Sequence, residues 1–277
     1  MTGGTLGGRD ELASRLRALL KASGMSTVRV AKALENRGIH TSQSKVSRTI
    51  NARVAADPEF VAQLCALLGA SAYERDELVA LAWAIRKANR RLVLGRDQAA
   101  AQTRIGKFER ESSLVRAVAI TSMPGELQIE PYVRTIFNSD AGVRQRLLNQ
   151  AILDDTTSRR QFVLLIAESA FGWTPLPPAL MADQIDHISA ALARRNVRIG
   201  IIPWGTTVLR LPQQSWYLFD SRLVVTGGLT YALDLADPDD VGAYVELTDA
   251  LERLAVYGEE AREVLTRVAD RYRQLDT

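Results

Sequence analysis

Between Leu12 and Ile85, apolar residues recur every three or four positions, and glycines at 24, 38 and 69 punctuate the pattern. That rhythm commits the first third of the chain to short amphipathic helices. Leu12, Leu16, Leu19 and Leu20 form the stripe of a first helix, Asp10 to Ser23, which Gly24 stops, after a glycine-rich start read as flexible. Ser26 or Thr27 caps a second helix, with Val30, Ala31, Ala33 and Leu34 inward and Arg29 and Lys32 outward. The connector Gly38-Ile39-His40-Thr41 leads to Ser42, the cap of a third helix whose Val46 and Ile50 lie four apart on one face. A fourth runs from Asp57 to Leu68 with Pro58 in its first turn. A fifth begins near Ser71 or Tyr73, carries Leu78, Leu81, Ala82 and Ile85, and turns basic at Arg86–Arg91.

The third helix carries the chemistry. Its outward residues are Gln43, Ser44, Lys45, Ser47 and Arg48, and Arg53 follows its end, with no acidic residue among them. Glutamine can bond an adenine edge, and arginine or lysine a guanine edge or a phosphate, so this face suits a DNA major groove. Taken alone, it better suits a solvated basic helix. The helices around it and the charge distribution together favour the first. Residues 1–110 hold 19 Lys and Arg against 10 Asp and Glu, a net of +9, whereas residues 111–277 hold 16 against 22, a net of −6. The basic third is expected to meet a polyanion. Charge by itself would also fit RNA or an anionic membrane. The expected roles are base edges for Gln43, Ser44, Lys45 and Arg48, and phosphates for Thr27, Arg29, Ser47 and Arg53, with Ser42 as the cap.

Five short helices with a glycine-bearing turn between the second and third make a helix-turn-helix domain. Gly24-Met25-Ser26-Thr27 through Leu34, followed by Ser42-Gln43-Ser44-Lys45-Val46-Ser47-Arg48 and the Asn51-Ala52-Arg53 ending, resembles the Xre (lambda-repressor-like) family of DNA-binding domains. The chain departs from that family in one place. Between Leu34 and Ser42 it inserts residues, among them Glu35-Asn36-Arg37 and His40-Thr41, and this longer turn bears on the angle of the recognition helix.

Residues 92–112 read as a helical linker, with Gly95 interrupting the pattern and Gln98 to Arg110 favouring a rigid spacer. From Ser113 onward short strands and helices mix. Strands are expected at Gln161–Glu168, Val197–Pro203, Trp216–Phe219, Arg222–Thr226 and Leu229–Leu235, with Gly227-Gly228 as a hairpin turn. Helices are expected near Pro131–Phe137, Ala141–Leu153, Ala179–Arg194, Pro238–Val256 and Glu260–Leu275. The expected fold is a mainly α five-helix helix-turn-helix domain over residues 9–91 and an α+β regulatory and dimerisation domain over 113–277. Pro124-Gly125-Glu126-Leu127-Gln128 with Tyr132 and Arg134, then Arg144-Gln145, Phe162 through Glu168, Gln184 and Asn196 through Pro203, is similar to an uncharacterised domain attached to Xre-type heads in regulators described as antitoxin-like. That family's first motif is usually PGLLQT followed by a Tyr-Ala-Arg segment; here Glu126, Ile129 and Val133 replace its leucine, threonine and alanine.

No pattern here reads as an active site. His40 and His187 have no metal-ligand spacing, so no metal or cofactor is expected. No phosphate-binding loop is present, Cys65 sits among Leu64, Leu67 and Leu68 as a structural thiol, and Asp154, Asp155 and Glu168 do not make a convincing acid–base pair. No apolar run approaches the roughly 18 residues of a membrane span, and the lone cysteine fits a reduced cytoplasm. Trp173, Trp204, Trp216, Tyr217 and Tyr231 could line a small-molecule pocket or pack a core, and burial separates these readings. The expected function is sequence-specific double-stranded DNA binding by a homodimeric transcriptional regulator on an inverted repeat. The alternatives are an antitoxin-like module that binds a small protein partner and regulates its own expression, or a sensor of a small-molecule effector.

Overall fold

Leu12, Leu16, Val30, Leu34, Val46, Ile50, Val61, Leu64 and Leu78 are fully buried together, one core shared by all five N-terminal helices. In the computed structural model these are α1 (Gly3–Ser23), α2 (Thr27–Glu35), α3 (Gln43–Ile50), α4 (Pro58–Leu68) and α5 (Ala72–Ala88). The structure describes residues 3–51, 53, 56–88, 90–94, 98–155, 157–228 and 231–275. Compact units form over residues 1–91 with 235–240, and over 92–234 with 241–277.

The first helix starts seven residues before the expected Asp10. Gly8 lies against Leu81 and Ile85 of α5, and that packing outweighs the weak helix propensity of glycine. The long turn also has a definite form. The N–H of Gly38 donates to the carbonyl of Glu35 and that of Ile39 to Leu34, which closes α2 as a wound C-terminal turn. Gly38 sits at φ +79°, a left-handed position that a side chain would strain. Beyond it the chain runs without regular structure to Ser42. Of the inserted residues, Glu35 extends α2 by one position, and the rest close the helix and lead into α3.

The second unit is built on a mixed sheet. Its strands are β1 (Arg90–Leu94), β2 (Leu114–Ala119), β3 (Gln161–Ala167), β4 (Val197–Ile202), β5 (Trp216–Phe219), β6 (Leu223–Gly228) and β7 (Tyr231–Leu235), in the order β1-β7-β6-β5-β2-β3-β4. β2, β3 and β4 run parallel, with Ala117 opposite Leu164 and Leu164 opposite Ile199. β5 is antiparallel to both β2 and β6. The crossovers are helical: α7 (Glu130–Ile136) and α8 (Asp140–Gln150) join β2 to β3, and α9 (Pro178–Ala191) joins β3 to β4. Phe162, Leu164, Ile166, Ile199 and Ile201 bury one sheet face against Met181, Ile185 and Ile188 of α9 and Leu265 of α11 (Gly258–Leu275). On the other face, α10 (Pro238–Leu254) is held by Thr248, whose hydroxyl accepts from Trp216 Nε1, and by Asp249, which pairs with Arg116.

Two of these strands lie outside the sequence reading. β2 is a central strand, yet Arg116 interrupts its apolar run; the guanidinium is nevertheless buried, and Asp249 and Glu252 of α10 neutralise it. β1 falls where a linker is expected. The supposed spacer is also part of the fold: α6 (Gln98–Glu111) buries Gln102 and Glu109, and the Gln102 carbonyl accepts from Asn149 of α8. Gly95 and the turn between β6 and β7 lie outside the described residues, and Gly227 and Gly228 end β6 as strand residues.

Candidate nucleic-acid interface

α3 is capped at its start by Ser42, whose hydroxyl accepts from the Lys45 N–H at 3.1 Å, and α2 in the same way by Ser26, which accepts from Arg29 N–H at 3.3 Å. Val46, Thr49 and Ile50 bury the inner face of α3. Thr49 is polar, and its burial on this face has no counterpart in the apolar pattern. At the far end the Asn51 side chain donates to the Ser47 carbonyl at 2.8 Å, and the Arg53 N–H donates to the Arg48 carbonyl at 2.9 Å. These bonds hold Arg53 beside the last turn.

Ser42, Gln43, Ser44, Lys45, Arg48 and Arg53 are exposed, as is Arg29 of α2; Thr27 and Ser47 are half-buried. α3 and its end thus carry six of the expected DNA-binding residues at the protein surface, and the start of α2, with Thr27 and Arg29, meets the start of α3. Gln43 Nε2 donates to Thr27 Oγ1 at 3.2 Å, so the two helix N-termini are tied side chain to side chain. This bond uses one N–H and leaves the other N–H and Oε1, the pair a glutamine offers to an adenine edge. Among the described residues Arg29, Arg48 and Arg53 form no ion pair.

Lys45 is placed differently from its neighbours. Its ammonium lies 4.7 Å from the ring centroid of Phe60, a buried residue of α4. A small acidic set lies in the same unit. Arg86 of α5 reaches Asp57 at 3.2 Å and the fully buried Asp237 at 3.7 Å. Burial, then the charge of Asp237, raises the Asp239 carboxyl, while Arg86 and Lys45 act against that rise. Asp237 and Asp239 sit almost 200 positions from α3 in sequence, so no local pattern could have pointed to them.

A family model described as a helix-turn-helix domain matches residues 11–78. A second, described as a domain of unknown function (DUF5753), matches residues 102–267, more than half of the chain. The chain belongs to the DUF5753 family. It joins a member of that family to a helix-turn-helix head, and it is a DNA-binding regulator. None of the curated proteins compared with it matches. One solved structure similar to part of it is titled "Structure of TrmBL2, an archaeal chromatin protein, shows a novel mode of DNA binding"; the two are 12% identical, the likeness covers 82% of this chain and 80% of the other, and the TM-score is 0.32, too low to carry an argument.

In the DUF5753 domain the five aromatic residues that could line a pocket or pack a core divide between the two environments. Trp216 is 2% exposed and Tyr217 packs beside Phe219 at a centroid distance of 6.0 Å, so both belong to the core. Trp173, Trp204 and Tyr231 are exposed at 65%, 79% and 42%. The motif Pro124–Gln128 is instead the rim of a buried polar cluster. Tyr217 donates to Glu126 at 3.2 Å and accepts from the Gly125 N–H at 3.0 Å. Gln150 donates to the carbonyls of Gly125 and Gln128. A Cβ at position 125 would overlap the Arg146 guanidinium, which explains a glycine there. Glu109 of α6 faces Glu126, and burial first, then the Glu126 charge, pushes its carboxyl up to about 9.

The remaining candidates have structural partners. Asp154 pairs with Arg194 at 2.5 Å, and Glu168 binds Arg267 at 3.1 Å and the Trp204 N–H at 2.9 Å. Asp186, beside the exposed His187, pairs with Arg273. Cys65 is fully buried, and burial raises its thiol to about 11. Among the described residues no helix is long and apolar enough to cross a membrane.

Proposed function

We propose that this protein is a sequence-specific, double-stranded DNA-binding transcriptional regulator of the Xre type, working as a homodimer on an inverted-repeat operator. The observation that carries this reading is the surface formed by Gln43, Ser44, Arg48 and Arg53 of α3 and its end with Thr27 and Arg29 of α2. It is exposed, contains no acidic residue, and holds three arginines without ion pairs among the described residues. In the proposed complex Gln43, Ser44 and Arg48 meet base edges, and Thr27, Arg29, Ser47 and Arg53 meet phosphates. Lys45, drawn over Phe60, acts as a cation beside the backbone more than as a base reader. Two copies would place their recognition helices about one helical turn, roughly 34 Å, apart along the duplex.

The proposal assigns no catalytic step to the chain. The DUF5753 domain is read as the dimerising and regulatory part; an antitoxin-like partner or a small effector would act there. Mobility-shift titration against an operator selected from random duplexes tests the reading. Arg48→Ala should weaken binding by about 1–3 kcal/mol and relax the preference at one base pair. An Arg48→Ala protein with unchanged affinity and unchanged preference would refute the assignment.

A further inference from the structure

We infer that the groove along α10, together with the loop over residues 206–215, is the surface through which two copies of this chain associate. The inference rests on the homodimer reading and names its interface. Ala243, Leu247, Ala250 and Leu254 follow one another at spacings of four, three and four residues, the repeat of a helix seam that packs on another element. Yet the stripe is only half covered: Ala243, Leu247 and Ala250 are half-buried and Leu254 is 38% exposed, whereas the inward residues Val241, Thr248 and Leu251 are buried. Two clefts of about 290 and 220 Å³ adjoin this stripe and lie side by side, with Leu247 and Arg210 lining both.

The neighbouring loop supplies the matching shape. Leu209 is wholly exposed and Leu211 is 73% exposed, on a segment without regular structure. A lone exposed leucine is ordinary; two on one irregular loop, each at the edge of one of these clefts, are not. A surface carrying both a knob and a groove is self-complementary under a two-fold axis, which sets the loop of each copy on the α10 groove of the other. The rim charges favour the same occupant. Arg210, Glu246 and Arg253 border the groove and form no ion pair among the described residues. Both signs are present on one patch, so a two-fold copy can pair Arg210 or Arg253 with the Glu246 facing it.

The test uses the full chain in sedimentation-equilibrium runs from nanomolar to tens of micromolar. The wild type should be a dimer whose dissociation constant weakens at least about tenfold in Leu209→Glu. Leu209 is fully exposed, so circular dichroism should stay unchanged in that variant. Glu246→Arg should weaken association, and adding Arg210→Glu to it should restore most of the loss. A monomeric wild type, whether the groove then takes another protein or nothing, would overturn the inference, as would a Leu209→Glu dimer of unchanged strength. Mobility shifts separate this from the DNA reading. Leu209→Glu should keep half-site binding while losing the gain from a second half-site, whereas Arg48→Ala should lose base preference and stay dimeric.

Discussion

Replacing Glu109 by glutamine should make the protein more stable above neutral pH. Glu109 is 2% exposed, faces Glu126, and has one carboxylate oxygen with no hydrogen-bond partner. Its carboxyl titrates near 9 in the folded chain, against about 4.5 for the same group in an unfolded one. Between those pH values the native state holds a proton that the unfolded state has lost. Stability is therefore full below pH 4.5 and declines as pH rises toward 9. The decline is bounded at roughly 1.4 kcal/mol per pH unit for a single proton, and the charge of Arg146, which favours the ionised carboxylate, offsets part of it. Glutamine has the same shape, never ionises, and offers an N–H to the unpartnered oxygen of Glu126. Urea unfolding at pH 5.5, 7 and 8.5 provides the measurement, followed by tryptophan emission. Trp216 is buried in the same unit, whereas Trp83, Trp173 and Trp204 are more than half exposed, so Trp216 dominates the change. The variant's lead over the wild type should grow by about 2 kcal/mol between pH 5.5 and pH 8.5. Parallel stability curves across that range would show that Glu109 is ionised in the native state and that the burial argument fails.

Ile50→Ala should destabilise the helix-turn-helix head by about 2–5 kcal/mol, since Ile50 is 1% exposed in its core; thermal unfolding of the head checks this. Ser42→Ala removes the acceptor for the Lys45 N–H and should cost about 1 kcal/mol in the same assay. Arg53→Ala should weaken binding to all duplexes alike and reduce the slope of log affinity against log salt by about 1, read from filter binding at several salt concentrations. A variant that changed sequence preference would place Arg53 at a base instead of a phosphate.

The head was legible in the sequence because its determinants are local. The three- and four-residue spacing of Leu12 to Leu20, the caps Ser26 and Ser42, and the glycines at 38 and 69 act within a few residues of where they stand. The same locality put Gln43, Ser44, Arg48 and Arg53 on one exposed surface. What the sequence could not show is what lies beneath or beside it. Phe60 draws Lys45 back over α4, and Thr27 takes one N–H of Gln43; both contacts join residues at least 15 positions apart. Tertiary packing also determined the helix starting at Gly3, where α5 supports a stretch of poor helix formers.

In the DUF5753 domain the balance shifts further. Continuous branched runs such as Phe162–Ile166 and Val197–Ile202 announce buried parallel strands by themselves. β2 does not, because Arg116 is acceptable in a central strand only when carboxylates from α10, more than 130 positions away, come to meet it. The aromatic residues divide for the same reason: Trp216 and Tyr217 are core because α10 and the Pro124–Gln128 turn supply their polar partners. Sequence alone thus determined the helical head, the exposed basic face of α3 and the class of the second domain, since periodicity, capping and turn chemistry are short-range. Tertiary structure decided which charges are neutralised, which aromatics are buried and which apolar stripe stays uncovered, since those depend on partners brought together only by folding.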